Sequence, residues 1–366
     1  MDYGRIPIEI ESPEEVGYGN IRYNLSESSI ADQSLADLGL TLPDIKLIYG
    51  EHRGSAKLRA LIAAEGVGIH PDDVLVTNGA ALALFIISTS LLGPNDHLII
   101  VKPNYGLNLE TPRAIGCQIT HLDVTFDEGF KISLEKLAAS IRPNTRLISI
   151  TVPHNPTGAM VSEDELRSIA DLAKRSGCRL VVDETYRWLT YEGILPVAAT
   201  LGAHVISVSS MSKSYGIPGT RIGWLITGDK ALQETFLGAK EQIVICGSII
   251  DEWIAERVLT RRDVVLKPVL AEMRRRRQVV TDWIAGQRNL EWKRPFAGVT
   301  GFLRMLQEPP GGVASFYTRL LEEHGTYVAP GHWFDLPDTY FRLGFGWPTA
   351  EELTGGLEAI SEAMRG

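Results

Sequence analysis

Cysteine is scarce in this chain. Its three cysteines, Cys117, Cys178 and Cys246, are too widely spaced for a disulfide framework or a metal-binding pattern, so no metal is expected. Positive charge is also in deficit: 36 Lys and Arg against 45 Asp and Glu give a net charge of −9, which argues against a nucleic-acid or anionic-membrane partner. The one basic run, Arg274 to Arg277, sits between Glu272 and an apolar stretch and reads as a solvated helix face. No apolar run approaches the roughly 20 residues that a membrane span needs. Residues Met1 to Arg5 show no basic-then-apolar leader, and a cytoplasmic protein is expected. Repeats and low-complexity segments are missing too. What remains is a globular composition, 44% hydrophobic, long enough for one large domain and a smaller one.

Against that background one stretch stands out, Ser207 to Trp224. Val205 to Val208 reads as a short apolar strand that breaks into small hydroxyl residues around Lys213. A second apolar strand is expected to begin at Arg221. Lys213 has no carboxylate near it in sequence, and partial desolvation would make its amine nucleophilic near neutral pH, as a Schiff-base lysine requires. Arg221 keeps its charge and offers a rigid fork of donors suited to a phosphate. A carbonyl cofactor carrying a phosphate accounts for both residues; an ordinary surface lysine on a strand-turn-strand is the other reading.

The rest of the chain frames this stretch. Residues 1 to 45 are acidic, and Pro7 and Pro13 discourage a long helix, so they read as an irregular arm lying across something. A helix is expected from Ala56 to about Glu65. Strands are then expected at Val74 to Thr77, His97 to Val101, Arg146 to Val152, Arg179 to Val182 and His204 to Val208, with helices between them. Ser162 and Glu165 form a capping box at the start of one helix. Continuous apolar strands alternating with helices predict an α/β domain with a largely parallel, doubly covered sheet. After Arg261 the pattern changes to a long helix (Leu266 to Ile284), short strands near Thr300 to Leu303 and Tyr340 to Leu343, and a terminal helix from Ala350, the profile of a smaller α+β domain. The expected division is 46–258 for the large domain, and 1–45 with 259–366 for the small domain and its arm.

Gly79, Tyr105, Asn155, Asp183, Ser210 and Lys213 all fall just past the carboxyl ends of expected strands, the edge where open α/β sheets bind ligands. Gly79-Ala80-Ala81 opens a helix with free N–H groups for a phosphate, or is a plain strand-to-helix turn. Tyr105 can stack on a flat heterocycle or be a core tyrosine, and Asn155 can bond a ring oxygen or merely shape its turn. Asp183, a carboxylate ending an apolar strand, needs a cation such as a protonated pyridine nitrogen. Tyr186, three residues on, can bond the ring oxygen. His154 is given no role.

The pattern Ser210, Lys213, Tyr215, Gly219, Arg221, Gly223, Trp224 resembles the pyridoxal-phosphate lysine signature of class I/II aminotransferases, the fold-type I enzymes. The resemblance covers about residues 45 to 366. It implies a mostly parallel sheet of the seven-stranded type and pyridoxal 5'-phosphate as cofactor. Lys213 would carry it as a Schiff base, with phosphate contacts from Ala80, Ala81, Ser210 and Arg221, stacking by Tyr105, and ring contacts by Asn155, Asp183 and Tyr186. It further implies that Tyr49 reaches a neighbouring subunit's phosphate in a homodimer with shared active sites. Arg342 would grip the α-carboxylate of a small-molecule amino acid substrate, with Asn155 beside it.

One departure bears on that substrate. Where the family carries a glycine-proline stretch lining its pocket, this chain reads Asn24 to Asp32. Its acidic residues, Glu27 and Asp32, would suit a guanidinium side chain if they stand beside the substrate, with Glu27 and Ser28 as the substrate contacts; Glu27 and Asp32 as solvated loop charges is the other reading. The segment is similar to the subgroup that includes capreomycidine synthase, a pyridoxal-phosphate enzyme cyclising a hydroxylated arginine. Three functions are therefore carried forward: aminotransfer, elimination with cyclisation of the capreomycidine or enduracididine type, and a non-catalytic binding module of the same fold.

Overall fold

A computed structural model describes residues 1–366. Its centre is a seven-stranded sheet, in spatial order Val74–Asn78, Ile222–Ile226, Val205–Ser210, Arg179–Asp183, Thr145–Thr151, His97–Lys102 and Gln118–Asp123. Only Ile222–Ile226 runs antiparallel to its neighbours; the other pairings are parallel. Alternate side chains of the inner strands enter two different cores. Ile99, Val101, Ile148, Ile150, Leu180 and Val182 pack with Leu166, Ile169 and Ala173 of the helix Glu163–Arg175. Leu98, Ile100, Leu147, Val181, Ile206 and Val208 pack on the opposite face with Ala83, Ile86 and Ile87 of Gly79–Leu91. Burial on both faces is what makes these strands continuous apolar runs. The capping box closes as expected: Ser162 Oγ accepts from the Glu165 amide at 3.2 Å, and the Glu165 carboxylate accepts from the Ser162 amide at 2.6 Å.

The carboxyl-terminal part builds a four-stranded antiparallel sheet in the order Ala329–Pro330, Tyr340–Gly344, Thr300–Met305, Leu290–Trp292. The helices Val313–Glu322 and Ala350–Ala363 cover it through Phe316, Leu320, Leu353, Leu357 and Ile360. Tyr23–Asn24 pairs in parallel with Thr326–Tyr327, and Leu25 enters the same core, so the arm is tied to this part of the chain. Its first residues reach further: Ile6 and Ile8 pack in the core that holds Val101 and Trp333.

Several expectations change. The arm is not irregular throughout: Pro7–Ile10 and Pro13–Val16 are single-turn helices, each with proline at the first turn, where its missing N–H costs nothing. The strand Gln118–Asp123 was not expected, because it lies at the sheet edge with mostly half-exposed side chains and lacks an apolar run. Arg221 does not begin a strand; it takes a left-handed conformation at φ +49° and the strand starts at Ile222. The basic run is only half a solvated face. Arg274 and Arg275 are exposed, the first donating to the Tyr191 carbonyl at 3.2 Å and the second paired with Glu272. Arg276 donates to the Phe345 and Gly346 carbonyls, and Arg277, buried, donates to the Pro295 carbonyl and covers the Tyr191 ring at 3.8 Å. No helix is long and apolar enough to cross a membrane.

Candidate active site

A cavity of about 420 Å³ opens at the carboxyl edge of the large sheet. Its lining includes Ala80, Ala81, Tyr105, Asn155, Asp183, Tyr186, Ser210, Lys213, Arg221 and Arg342, with Glu27 and Ser28 from the arm. Residues expected at five strand ends are thus brought to one space. Gly79 lies just behind the lining, against Arg221. Tyr49 is 81% exposed and does not line its own chain's cavity.

The helix Gly79–Leu91 begins directly at the strand end, with Gly79 at φ +77° and no side-chain cap from Asn78. Its first N–H groups are therefore left for a ligand. A Cβ on Gly79 would sit 2.6 Å from Arg221 Nη2, so the guanidinium stands over this helix N-terminus. Two positive ends facing each other are unfavourable unless an anion lies between them. Arg221 donates only to the Pro218 carbonyl, at 3.0 Å. Gly223 serves the same approach, because a Cβ there would run into the Gly79 carbonyl carbon and the Ala80 amide nitrogen.

Asp183 is buried, and its hydrogen bonds, from the Thr185 N–H (3.0 Å) and O–H (2.6 Å), both fall on Oδ1. Burial pushes its carboxyl up, and the Thr185 donors oppose that. The Tyr186 hydroxyl is buried without a hydrogen bond of regular geometry. Burial raises it to about 12, with Arg342 and Ser28 pulling the other way. Lys213, half-buried at the cavity floor, is lowered from the usual lysine range by desolvation, with Glu27 the chief opposing charge. Arg342 is buried, donates to Asn155 Oδ1 (3.0 Å) and the Ser26 carbonyl (2.6 Å), and leaves Nε unpartnered.

Some lining residues carried no sequence signal: Ile8, Glu9, Ser12 and Glu14 of the arm, and Trp333. Asn104 is another. Buried, its Oδ1 accepts from the Tyr105 amide (2.7 Å) and Asn108 (2.9 Å), which fixes where Tyr105 starts. The Pro103-Asn104-Tyr105 run at a strand end was the only available hint. His154 has a structural place: it is buried between the Thr157 hydroxyl (2.7 Å) and the Pro103 carbonyl (2.9 Å), and burial lowers it to about 4, so the ring is neutral.

The family model for aminotransferase class I and II matches residues 43–360. This chain belongs to that family. A capreomycidine synthase of Streptomyces vinaceus is 30% identical over 86% of this chain and 80% of its own. An arginine–pyruvate transaminase of Pseudomonas aeruginosa is also 30% identical, over 87% and 80%. A pyridoxal-phosphate-dependent aminotransferase from Streptococcus suis has the same fold, with a TM-score of 0.92 at 28% identity over 99% of this chain and 98% of that one. Pyridoxal phosphate is therefore the cofactor of this aminotransferase-family chain, and the cavity fits it. An uncapped helix N-terminus opposed by a guanidinium suits the phosphate, Asp183 with a free oxygen suits a cationic ring nitrogen, and the unpartnered Tyr186 hydroxyl suits a ring oxygen.

Proposed function

We propose that this aminotransferase-family enzyme works as a homodimer on an α-amino acid, with Lys213 as the cofactor lysine. The observation that carries the reading is the convergence of Lys213, Asp183, Tyr186, Arg221 and Arg342 on one cavity in which the Tyr186 hydroxyl and Arg342 Nε are buried without partners. Ala80, Ala81, Ser210 and Arg221 would hold the phosphate, Tyr105 the ring face, and Asn155, Asp183 and Tyr186 the ring's polar atoms. When bound, pyridoxal phosphate supplies an aldehyde for amines and a ring that takes up the electron pair of a broken Cα–H bond. Arg342 grips the α-carboxylate through its fork, and its bond to Asn155 fixes the fork's orientation. Lys213, whose amine desolvation shifts towards the neutral form, removes the proton at the substrate Cα and carries it. The buried charge of Asp183 holds the ring nitrogen protonated.

Homodimerisation is supported by Leu47, Ile48 and Tyr49, which stand 77%, 70% and 81% exposed in an extended segment. Tyr49 is then free to serve a neighbour's phosphate. A cytoplasmic location agrees with three free thiols. Aminotransfer is placed first because the family model and the Pseudomonas relative both carry that activity in their names. Elimination with cyclisation is the second reading, favoured by the likeness to capreomycidine synthase; it shares the first proton transfer.

The test is holoenzyme incubated with amino acids, with and without pyruvate, followed by mass spectrometry and the visible absorption of the bound cofactor. A keto acid formed at pyruvate's expense is expected, and Lys213→Ala should lose the absorption band and about 10²–10⁴ in rate. A protein that takes up no pyridoxal phosphate refutes the reading. A product lighter by one water, formed without pyruvate, moves it to cyclisation.

A further inference from the structure

The cavity holds one more feature, on its arm side. Glu27 lines the same space as Arg342 and Lys213, and its carboxylate accepts a single hydrogen bond, from the Tyr18 hydroxyl at 3.2 Å. No cation is hydrogen-bonded to it. Glu14 lines the cavity from the exposed side of the arm and acts on Glu27 as a like charge.

The backbone under Glu27 is held from two directions. The Gly344 amide donates to the Leu25 carbonyl at 2.7 Å, and only the missing Cβ of Gly344 leaves room for the Glu27 carbonyl. On the other side the Ile30 amide donates to the Lys213 carbonyl at 3.3 Å, and Gln33 to Gly216 at 2.7 Å. Glu27 is thus fixed between the cofactor lysine's loop and the strand that carries Arg342. Burial raises its carboxyl, Lys213 and Arg342 oppose that, and Glu14 adds to it. A substrate α-carboxylate on Arg342 cancels the field that Arg342 lends. The Glu14–Glu27 pair then faces the cavity with only Lys213 to oppose it unless the substrate brings a cation of its own. The unpartnered, buried Nε of Arg342 in the same cavity independently marks this space as a ligand site.

We propose that Glu27, buttressed by Tyr18 and joined by Glu14 at the cavity mouth, selects amino acids whose side chain ends in a guanidinium or ammonium group. The inference rests on the reading of Arg342 as the α-carboxylate anchor. With one anion-binding and one cation-binding end, the cavity is complementary to a long dibasic amino acid. It is repulsive to aspartate, whose side chain would add a third carboxylate beside Glu14 and Glu27.

The experiment uses holoenzyme and two unreactive probes that lack the α-amine, δ-guanidinovalerate and hexanoate, measured by calorimetry. The guanidino compound should bind about 10- to 100-fold tighter, the range for one charge-assisted contact. Glu27→Gln should erase most of that ratio and Glu14→Gln part of it. The same ordering is expected in kcat/KM for L-arginine over L-norleucine. Equal affinity for the two probes in wild-type holoenzyme overturns the inference, and so does a ratio unchanged in both variants. If Glu27→Gln fails to fold, the wild-type ratio and Glu14→Gln decide alone. A cofactor band that depends on Lys213 but comes with no preference for the cation sinks this inference and leaves the proposed function standing.

Discussion

On the sheet side of the cavity, Thr151, Asp183 and Ser210 sit at the ends of buried parallel strands, and the groups around them are set by tight backbone packing. On the arm side, Glu9, Ser12, Glu14 and Glu27 come from a segment of single-turn helices and extended chain, and several of them are exposed. The first wall has little freedom: Gly79 and Gly223 admit no Cβ without displacing Arg221 or the helix start. The second is held by backbone hydrogen bonds only around Glu27; its earlier residues are fastened by side-chain hydrogen bonds and ion pairs such as those of Glu11 with His332 and Trp333. Shared cofactor chemistry belongs on the rigid wall, where misplacement is costly. Selection among substrates belongs on the wall that can change without disturbing it.

The comparison breaks if the rigid wall tolerates change. After Lys213→Ala, the largest effect is expected from Asp183→Asn. The amide keeps an acceptor for Thr185 but loses the charge, so cofactor should still be retained while kcat falls by about 10²–10³, the scale of one preorganised electrostatic contact. Near-normal turnover in steady-state assays would remove Asp183 from the mechanism. Next comes Gly223→Ala. Its methyl would press on the Gly79 carbonyl carbon and the Ala80 amide, both backbone atoms that cannot swing aside. Overpacking of this kind costs about 1–3 kcal/mol. The melting temperature and the cofactor affinity should fall together, because the atoms displaced are the start of the helix proposed to face the phosphate. Loss of stability with unchanged cofactor affinity would separate the strand from the cofactor site.

What the sequence displayed follows the same division. The strand-end residues were legible because burial on both faces forces apolar runs, and residues of conspicuous chemistry follow at or a few positions past their ends, such as Asp183 and Lys213. The edge strand Gln118–Asp123 escaped because one side of it has no neighbouring strand and its side chains are half-exposed. Arg276 and Arg277 were misread for a related reason: helical spacing shows which residues share a face, but not that backbone carbonyls of Pro295, Phe345 and Gly346 stand ready to take two guanidinium groups indoors. Glu9 and Glu14 could not be placed at the cavity from sequence, since their position depends on Ile6 and Ile8 reaching across to the core around Trp333. Glu27 was within reach only as a departure from a family pattern.

The smallest expected effect tests how the arm is held. His332 bonds Asp338 through Nδ1 and Glu11 through Nε2, each at 2.8 Å, and Trp333 Nε1 donates to the same Glu11 carboxylate at 2.7 Å. Burial pulls the imidazole down, but the bonds and charges of Glu11 and Asp338 outweigh it and leave the ring above its ordinary value. The sign follows from linkage: stabilisation by a group raised on folding is complete below the unfolded value, about 6.5, and is lost as pH rises through the folded value. The arm should therefore loosen on the alkaline side. His332 and its partners are near 40% exposed, so solvent screening holds the effect below about 1 kcal/mol, and the Trp333 bond and the Tyr327 hydroxyl on the Glu11 carbonyl do not titrate with it. Hydrogen exchange across residues 7–16, compared near pH 6 and near pH 8.5, should show slightly faster opening at the higher pH, and His332→Gln should flatten that difference. An identical pH dependence in the variant would place the titrating group elsewhere. An arm rigid at both values would mean that the second wall is as fixed as the first, and that substrate selection has no softer side to act from.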